Sequence, residues 1–258
     1  MKKLIAFLFS LFAMHAAIAQ KHENPPGRNV EVVPYPYRYF SFISPRYTRL
    51  FLENEKWSDT YLLRTMISVK GRWHFRMDLP YVNTNATATG KTISGMGDMN
   101  VKVIKSFVQK KSTFFGAALL AGFPTASHEE IGNGKFTLDP QLGGFHVFNN
   151  ETGSAVLALD YNFSYAGDPN RSNISVLGIM PNVDWWGKKT YAGYYATWYY
   201  NFITHKWDIP IDIEVGHQIL KKVYLSAEWI YPLQKDPTYL QSITMKLRYS
   251  ILQGRRKT

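Results

Sequence analysis

The stretch Tyr61-Leu62-Leu63-Arg64-Thr65-Met66-Ile67-Ser68-Val69-Lys70-Gly71-Arg72-Trp73-His74-Phe75-Arg76-Met77-Asp78-Leu79 decides the fold. Before Gly71, Tyr61, Leu63, Thr65, Ile67 and Val69 alternate with Leu62, Arg64, Met66, Ser68 and Lys70. After it, Trp73, Phe75, Met77 and Leu79 alternate with Arg72, His74, Arg76 and Asp78. A period of two puts the two sets on opposite faces of a strand. With Gly71 at the centre of a tight turn, Lys70 falls opposite Arg72, Ser68 opposite His74, and Arg64 opposite Asp78. The polar residues then share one face, where Arg64 and Asp78 can form a cross-strand ion pair.

The same pattern recurs along the chain. Twelve strands are expected, near 38–52, 59–70, 72–82, 95–107, 113–123, 138–148, 154–165, 173–184, 188–200, 208–219, 222–232 and 241–252. The tenth sets Ile209, Ile211, Ile213 and Val215 against Asp208, Asp212 and Glu214. The eleventh sets Val223, Leu225, Ala227, Trp229 and Tyr231 against Tyr224, Ser226 and Glu228. In the last, Ile243, Met245, Leu247, Tyr249 and Ile251 oppose Thr244, Lys246 and Arg248. Connections alternate short and long, as periplasmic turns and extracellular loops do in outer-membrane barrels. An even strand number places both ends on the periplasmic side. Pro45 interrupts the first strand, as a bulge, a kink or a division into two short pieces.

The N-terminus reads as an export signal. Lys2 and Lys3 precede an apolar run from Leu4 to Met14, and small residues end at Ala19. The expected organisation is a signal peptide at 1–19, a flexible periplasmic lead-in at 20–37, a barrel at 38–252 and a periplasmic tail at 253–258. The lead-in is long enough for a short plug in the lumen but too short for a folded plug domain. No later segment has about 18 consecutive apolar residues, so no spanning helix is expected. There is no Cys, which excludes disulfides and an N-terminal lipid thioether.

Aromatic residues make up 16% of the chain and the net charge is +11. The Lys and Arg are spread over strands rather than clustered, and with the export signal this argues against nucleic acid as a partner. They suit a lumen, turns and anionic headgroups. The fold class is therefore all-β, a transmembrane antiparallel β-barrel of about twelve strands in the cell outer membrane of a Gram-negative-type bacterium. A soluble sandwich shows the same alternation but buries its apolar face; a barrel in lipid turns that face outward. Trp185, Trp186, Tyr191, Tyr194, Tyr195, Trp198, Tyr199, Tyr200, Trp229 and Tyr231 lie near strand ends and are expected in interfacial girdles.

No motif for catalysis stands out. Gly95-Met96-Gly97-Asp98 lacks the third glycine and the following helix of a phosphate loop. Its glycines are expected to let the chain re-enter the barrel, with Asp98 pairing locally. The seven His show no metal-ligand spacing. Ser68 and His74 form the nearest candidate for a nucleophile and base, and no third member is evident. His205 and Asp208 flank a loop and are expected to be solvated. No enzyme activity, cofactor or metal is expected.

The lumen charges are the constellation to follow. Arg64, Lys70, Arg72, Arg76 and Lys102, with His74 and Asp78 on the same face, belong to strands two to four. Asp212, Glu214 and Glu228 belong to strands ten and eleven, with Lys246 and Arg248 beside them. Walls of unlike charge set a transverse field in a diffusion pore; mutual ion pairing would instead close a narrow barrel. Expected partners are outer-membrane lipids, a small-molecule cargo and the barrel-assembly machinery. The alternatives are a lipid-modifying outer-membrane enzyme and a structural or adhesive barrel that binds partners through its long loops.

Leu79-Pro80-Tyr81, then Ser94-Gly95-Met96-Gly97-Asp98, then Phe123-Pro124-Thr125-Ala126 and Asp139-Pro140-Gln141-Leu142-Gly143 occur in that order. This series resembles the outer-membrane family named for the meta-cleavage pathway of phenol degradation, best over 72–165. The resemblance implies a barrel that passes small, often aromatic or hydrophobic compounds. The family usually has Pro-Thr-Gly where Pro124-Thr125-Ala126 stands. The strongly charged lumen also fits poorly with a hydrophobic cargo, so the substrate stays open. The motifs themselves are expected to shape loop ends, with Pro124 stopping a strand and Gly95 and Gly97 starting one.

Overall fold

A computed structural model describes residues 41–69, 73–109, 112–148, 152–187, 189–234 and 237–251. The signal peptide at 1–19, the lead-in at 20–37, the turn residues Lys70, Gly71 and Arg72, and the tail at 253–258 lie outside the described residues.

Twelve antiparallel strands close into a barrel. They are β1 (Ser41–Phe51), β2 (Trp57–Val69), β3 (Trp73–Thr84), β4 (Ile93–Met96 and Met99–Gln109), β5 (Thr113–Phe123) and β6 (Lys135–Val147). The second half comprises β7 (Gly153–Gly167), β8 (Ser175–Trp186), β9 (Thr190–Tyr194 and Trp198–Asn201), β10 (Lys206–Asp208 and Pro210–Leu220), β11 (Val223–Pro232) and β12 (Gln241–Ile251). Each strand pairs with its sequence neighbours, and β12 returns to β1 with Ser41 opposite Ile251. The two described ends therefore lie at the rim that carries the short turns. Closure leaves no open edge, so the backbone is satisfied within the sheet, as a lipid environment requires.

The register around Gly71 is the one its sequence dictates: Ser68 faces His74, and Arg64 faces Asp78. One residue of slip would invert both faces of the hairpin. Prolines enter the strands without breaking them. β1 runs continuously through Pro45, which sits opposite Leu63 of β2, while the partners toward β12 skip from Ile43 to Arg46 in unchanged register. Pro45 is thus neither a bulge nor a division into pieces; a residue without an N–H is accommodated by a gap at Ser44 and Pro45 in the ladder toward β12.

The outward face is apolar. Ile67, Phe75, Val215, Leu225, Met245 and Tyr249 are all 40–58% exposed. The inward face of the same strands is polar and buried: Ser68, Asp78, Glu214, Ser226, Thr244 and Lys246 are each 8% exposed or less. A sandwich core has the opposite arrangement. Aromatic pairs mark the outer rim on the long-loop side, with Trp229 and Tyr231 at 5.7 Å and Tyr200 and Trp207 at 5.1 Å between ring centroids. On the short-turn side, Lys105 lies 4.4 Å over the Trp73 ring. Such amphipathic groups suit the two membrane interfaces.

Not every strand-end aromatic joins these girdles. Trp186 and Tyr191 point inward and are buried in a cluster with Phe114, Phe145, Val147 and Val156. Tyr195 lines the interior cavity. Tyr191 faces Gly216 across the β9–β10 pair, and any Cβ at Gly216 would overlap its ring. A glycine on one strand gives an aromatic ring on the next somewhere to lie.

Candidate functional site: the barrel lumen

Inward residues from most of the strands enclose a central cavity of about 350 Å³. Among the sequence-derived candidates, Arg64, Arg76, Lys102, Asp212, Glu214, Glu228, Lys246 and Arg248 line it. His74 and Asp78 are buried inward but are not among its lining residues, and Arg72 lies outside the described residues.

The charges fall mainly into two arcs, with Asp59 and Asp78 buried on the basic side and Lys135 on the acidic side. Arg46, Arg64, Arg76, Lys102, Lys246 and Arg248 come from β12 and β1 to β4. The carboxylates of Asp139, Asp160, Asp184, Asp212, Glu214 and Glu228 come from β6 to β8, β10 and β11. Both arcs are wider than the sequence alone suggested. Arg46 was obscured by Pro45. Asp139 stood in a motif read as a loop end, although alternation with Thr137 and Gln141 places it on the inward face.

Two ion-pair groups anchor the arcs. Asp78 accepts a two-pronged contact from Arg64 at 2.7 Å on each oxygen, and Arg76 approaches the same carboxylate at 3.2 Å. Lys246 bridges Glu214 at 2.8 Å and Glu228 at 2.5 Å. Tyr191 adds a hydrogen bond to Glu214 at 2.5 Å. Pairing offsets the cost of burying these charges but does not remove it. Lys102 donates to the Gln141 amide oxygen, and Gln141 in turn donates to Asp139 at 2.7 Å.

Toward the short-turn rim the lumen becomes apolar. Phe114 and Phe145 stack at 4.2 Å, and Phe42, Met66 and Ile104 form a second cluster. The Ser68 hydroxyl and His74 Nδ1 are 2.9 Å apart, both buried at this end and neither lining the cavity.

The long-loop rim is narrowed by the connection at 124–134, which contains a short 3-10 turn at Glu129–Ile131. β4 is broken at Gly97 and Asp98, and the break receives this loop. Asp98 accepts the backbone N–H of Ala126 at 3.1 Å and of Asn133 at 2.7 Å. Asp98 therefore makes long-range contacts rather than the local ones expected. The Thr125 hydroxyl accepts from Met99 N–H and donates to Gly97 C=O, and Ser127 exchanges two hydrogen bonds with Met96. A Cβ at Gly132 would collide with Ala126 and approach Asp98 to 3.0 Å. Inward residues Ser58, Thr60, Val82 and Thr84 and the loop residues Glu130 to Asn133 enclose a recess. The loop thus leans across the mouth. Gly95 does not open a strand here; it lies inside the Ile93–Met96 piece, and the re-entry point is Gly97-Asp98.

Asp98 is the fastening point. Replacing Asp98 with Ala removes two charge-assisted acceptors, each worth roughly 1.5–3 kcal/mol. A glutamate-specific protease should then cut after Glu129 or Glu130 at least about tenfold faster in folded protein. An unchanged rate would show that the loop is held by other contacts.

No family model and no curated protein matches this chain. Solved structures match in fold. The COG4313 outer-membrane channel from Pseudomonas putida F1 aligns with a TM-score of 0.66 at 14% identity, covering 89% of this chain and 100% of that one. The NanC porin gives 0.58 at 12% identity, over 83% and 100% of the two chains. The KdgM porin gives 0.57 at 10% identity, over 82% and 99%. The chain thus has the twelve-stranded barrel fold of outer-membrane channels.

Proposed function

We propose that this chain is a passive outer-membrane channel for small molecules. The observation that carries the reading is the charged cavity itself. Its walls are basic on one side and acidic on the other, inside a barrel whose outer face is apolar. A wall of buried charge across a water-accessible path selects solutes by sign and by dipole orientation. The loop at 124–134 limits size at the mouth, and the apolar clusters limit it at the other end. The resemblance to the phenol meta-pathway family supports a cargo with an aromatic or hydrophobic part. Residues 1–19 would direct export, the barrel-assembly machinery would insert the chain, and 20–37 would supply a periplasmic lead-in.

Liposome swelling tests this. Vesicles with folded, inserted protein should take up small neutral sugars faster than empty vesicles. The variants Arg64→Gln and Arg76→Gln should alter the relative uptake of anions and cations while leaving neutral uptake within about twofold. Uptake equal to that of empty vesicles, from protein shown to be folded and inserted, would overturn the reading.

A further inference from the structure

The ion pairs in the lumen do not use all of its cations. Arg64 occupies both oxygens of Asp78, and Lys246 engages both Glu214 and Glu228. Arg46 has no carboxylate within ion-pair distance among the described residues, and its Nε is buried without a hydrogen-bond partner. Arg76 shares the carboxylate already held by Arg64, and its Nε is likewise buried and unpartnered. Lys102 spends one of its three donors on a neutral amide. All three side chains line the same cavity. Buried donors left unmatched are costly, and a ligand that matches them gains the difference.

The same cavity has an apolar surface. Phe42, Met66 and Ile104 pack together on the basic side, and Phe114 and Phe145 line it nearby. Met66 is the direct cross-strand neighbour of Arg76, and Arg76 of Lys102. Arg76 and Lys102 thus sit directly beside Met66 and Ile104, while the buried Ser44 stands between Phe42 and Arg46 on β1 and Arg248 lies 5.2 Å over the Phe42 ring. A hydrated inorganic anion would satisfy the donors but leave the apolar surface facing water. An apolar neutral solute would do the reverse.

We propose that the cavity binds a small organic carboxylate with an apolar body, its carboxylate on Arg46, Arg76 and Lys102 and its body on Phe42, Met66 and Ile104. The biological sense of this site rests on the channel reading, since it would be a station along the path. Binding itself requires no conduction. The volume of about 350 Å³ lies in the range of small-molecule sites. Guanidinium groups favour carboxylates because their paired donors match two oxygens.

The test uses protein extracted from outer membranes in nonionic detergent, with binding read by titration calorimetry. Four probes separate the chemistries: cyclohexanecarboxylate, gluconate, inorganic phosphate and cyclohexylammonium. Cyclohexanecarboxylate should bind at least about tenfold more tightly than gluconate or phosphate, and cyclohexylammonium should show no binding. Arg46→Gln should weaken the carboxylate at least about tenfold. If that variant does not fold, Lys102→Gln should weaken it in the same direction, and Met66→Ser should erase the preference over gluconate. Equal binding of phosphate, or an affinity unchanged in a folded variant, would overturn the proposal. Because the readout is binding, a barrel that binds without conducting would contradict the channel reading and leave this one standing.

Discussion

Val215→Arg is expected to destabilise the barrel in lipid by about 2–4 kcal/mol, the cost of a cation at the membrane-facing midplane of a barrel strand. Val215 is central in β10, 50% exposed, and flanked on the two neighbouring strands by Ala192 and Ala227. The new side chain therefore has room, and a steric cost is small. At an exposed site of a water-soluble protein the same change stays within roughly 0.5 kcal/mol. The comparison separates the two environments that alternation alone leaves open. Denaturant titration in lipid vesicles supplies the number. A shift below about 0.5 kcal/mol would mean that this face does not meet lipid.

Lys246→Met should be as severe for the opposite reason. Lys246 is 9% exposed as a side chain and joins Glu214 at 8% and Glu228 at 12%. Removing the cation leaves two carboxylates close together and shielded from water. Breaking such a buried pair costs about 3–5 kcal/mol, most of it the unpaired charge left behind. The triple variant Lys246→Met, Glu214→Gln, Glu228→Gln should regain more than half of the loss, because the residual charges are gone. Denaturant midpoints of the single and triple variants, compared at equal slope, decide it. If the triple variant were as unstable as the single one, packing of the Lys246 stem rather than its charge would be responsible.

Much of this barrel is legible in the sequence because strand alternation is local. The register of β2 and β3 is the one that counting outward from Gly71 in the sequence predicts, and the Arg64–Asp78 pair follows from it. The strand number follows from turn spacing, since each hairpin must reverse the chain. Pro45 shows the limit of a local rule. It signals an interruption, yet the ladder to the neighbouring strand skips Ser44 and Pro45 and resumes in the same register. The aromatics show another limit. Trp185 and Trp186 are adjacent, so one must point inward; Trp186 does, and it fills the lumen with Tyr191 instead of facing lipid. Proximity to a strand end says nothing about which face a ring takes.

What stayed hidden depends on contacts between distant segments. The Asp98 clasp joins residues 28 and 35 positions apart, and no periodicity announces it. The short strings Ser94–Asp98 and Phe123–Ala126 were visible as motifs, but their mutual contact was not. The lumen arcs lie between these extremes. Asp160 and Asp184 sit on inward faces that alternation along β7 and β8 would have identified. Arg46 required knowing that β1 continues through proline. Contacts that reach over an intervening strand, such as Lys102 of β4 to Gln141 of β6 across β5, depend on two successive registers and on side-chain length.

Charge sorting in the lumen is read from the reversal potential of single inserted barrels in a planar bilayer under a KCl gradient. The barrel should give discrete conductance steps and a reversal potential displaced from zero. That displacement should move toward cation preference when Arg46 and Arg76 are both replaced by Gln. Folded, inserted protein that passes no current, or a reversal potential that ignores the double substitution, would contradict the claim that this lumen is a charge-sorting path through the membrane.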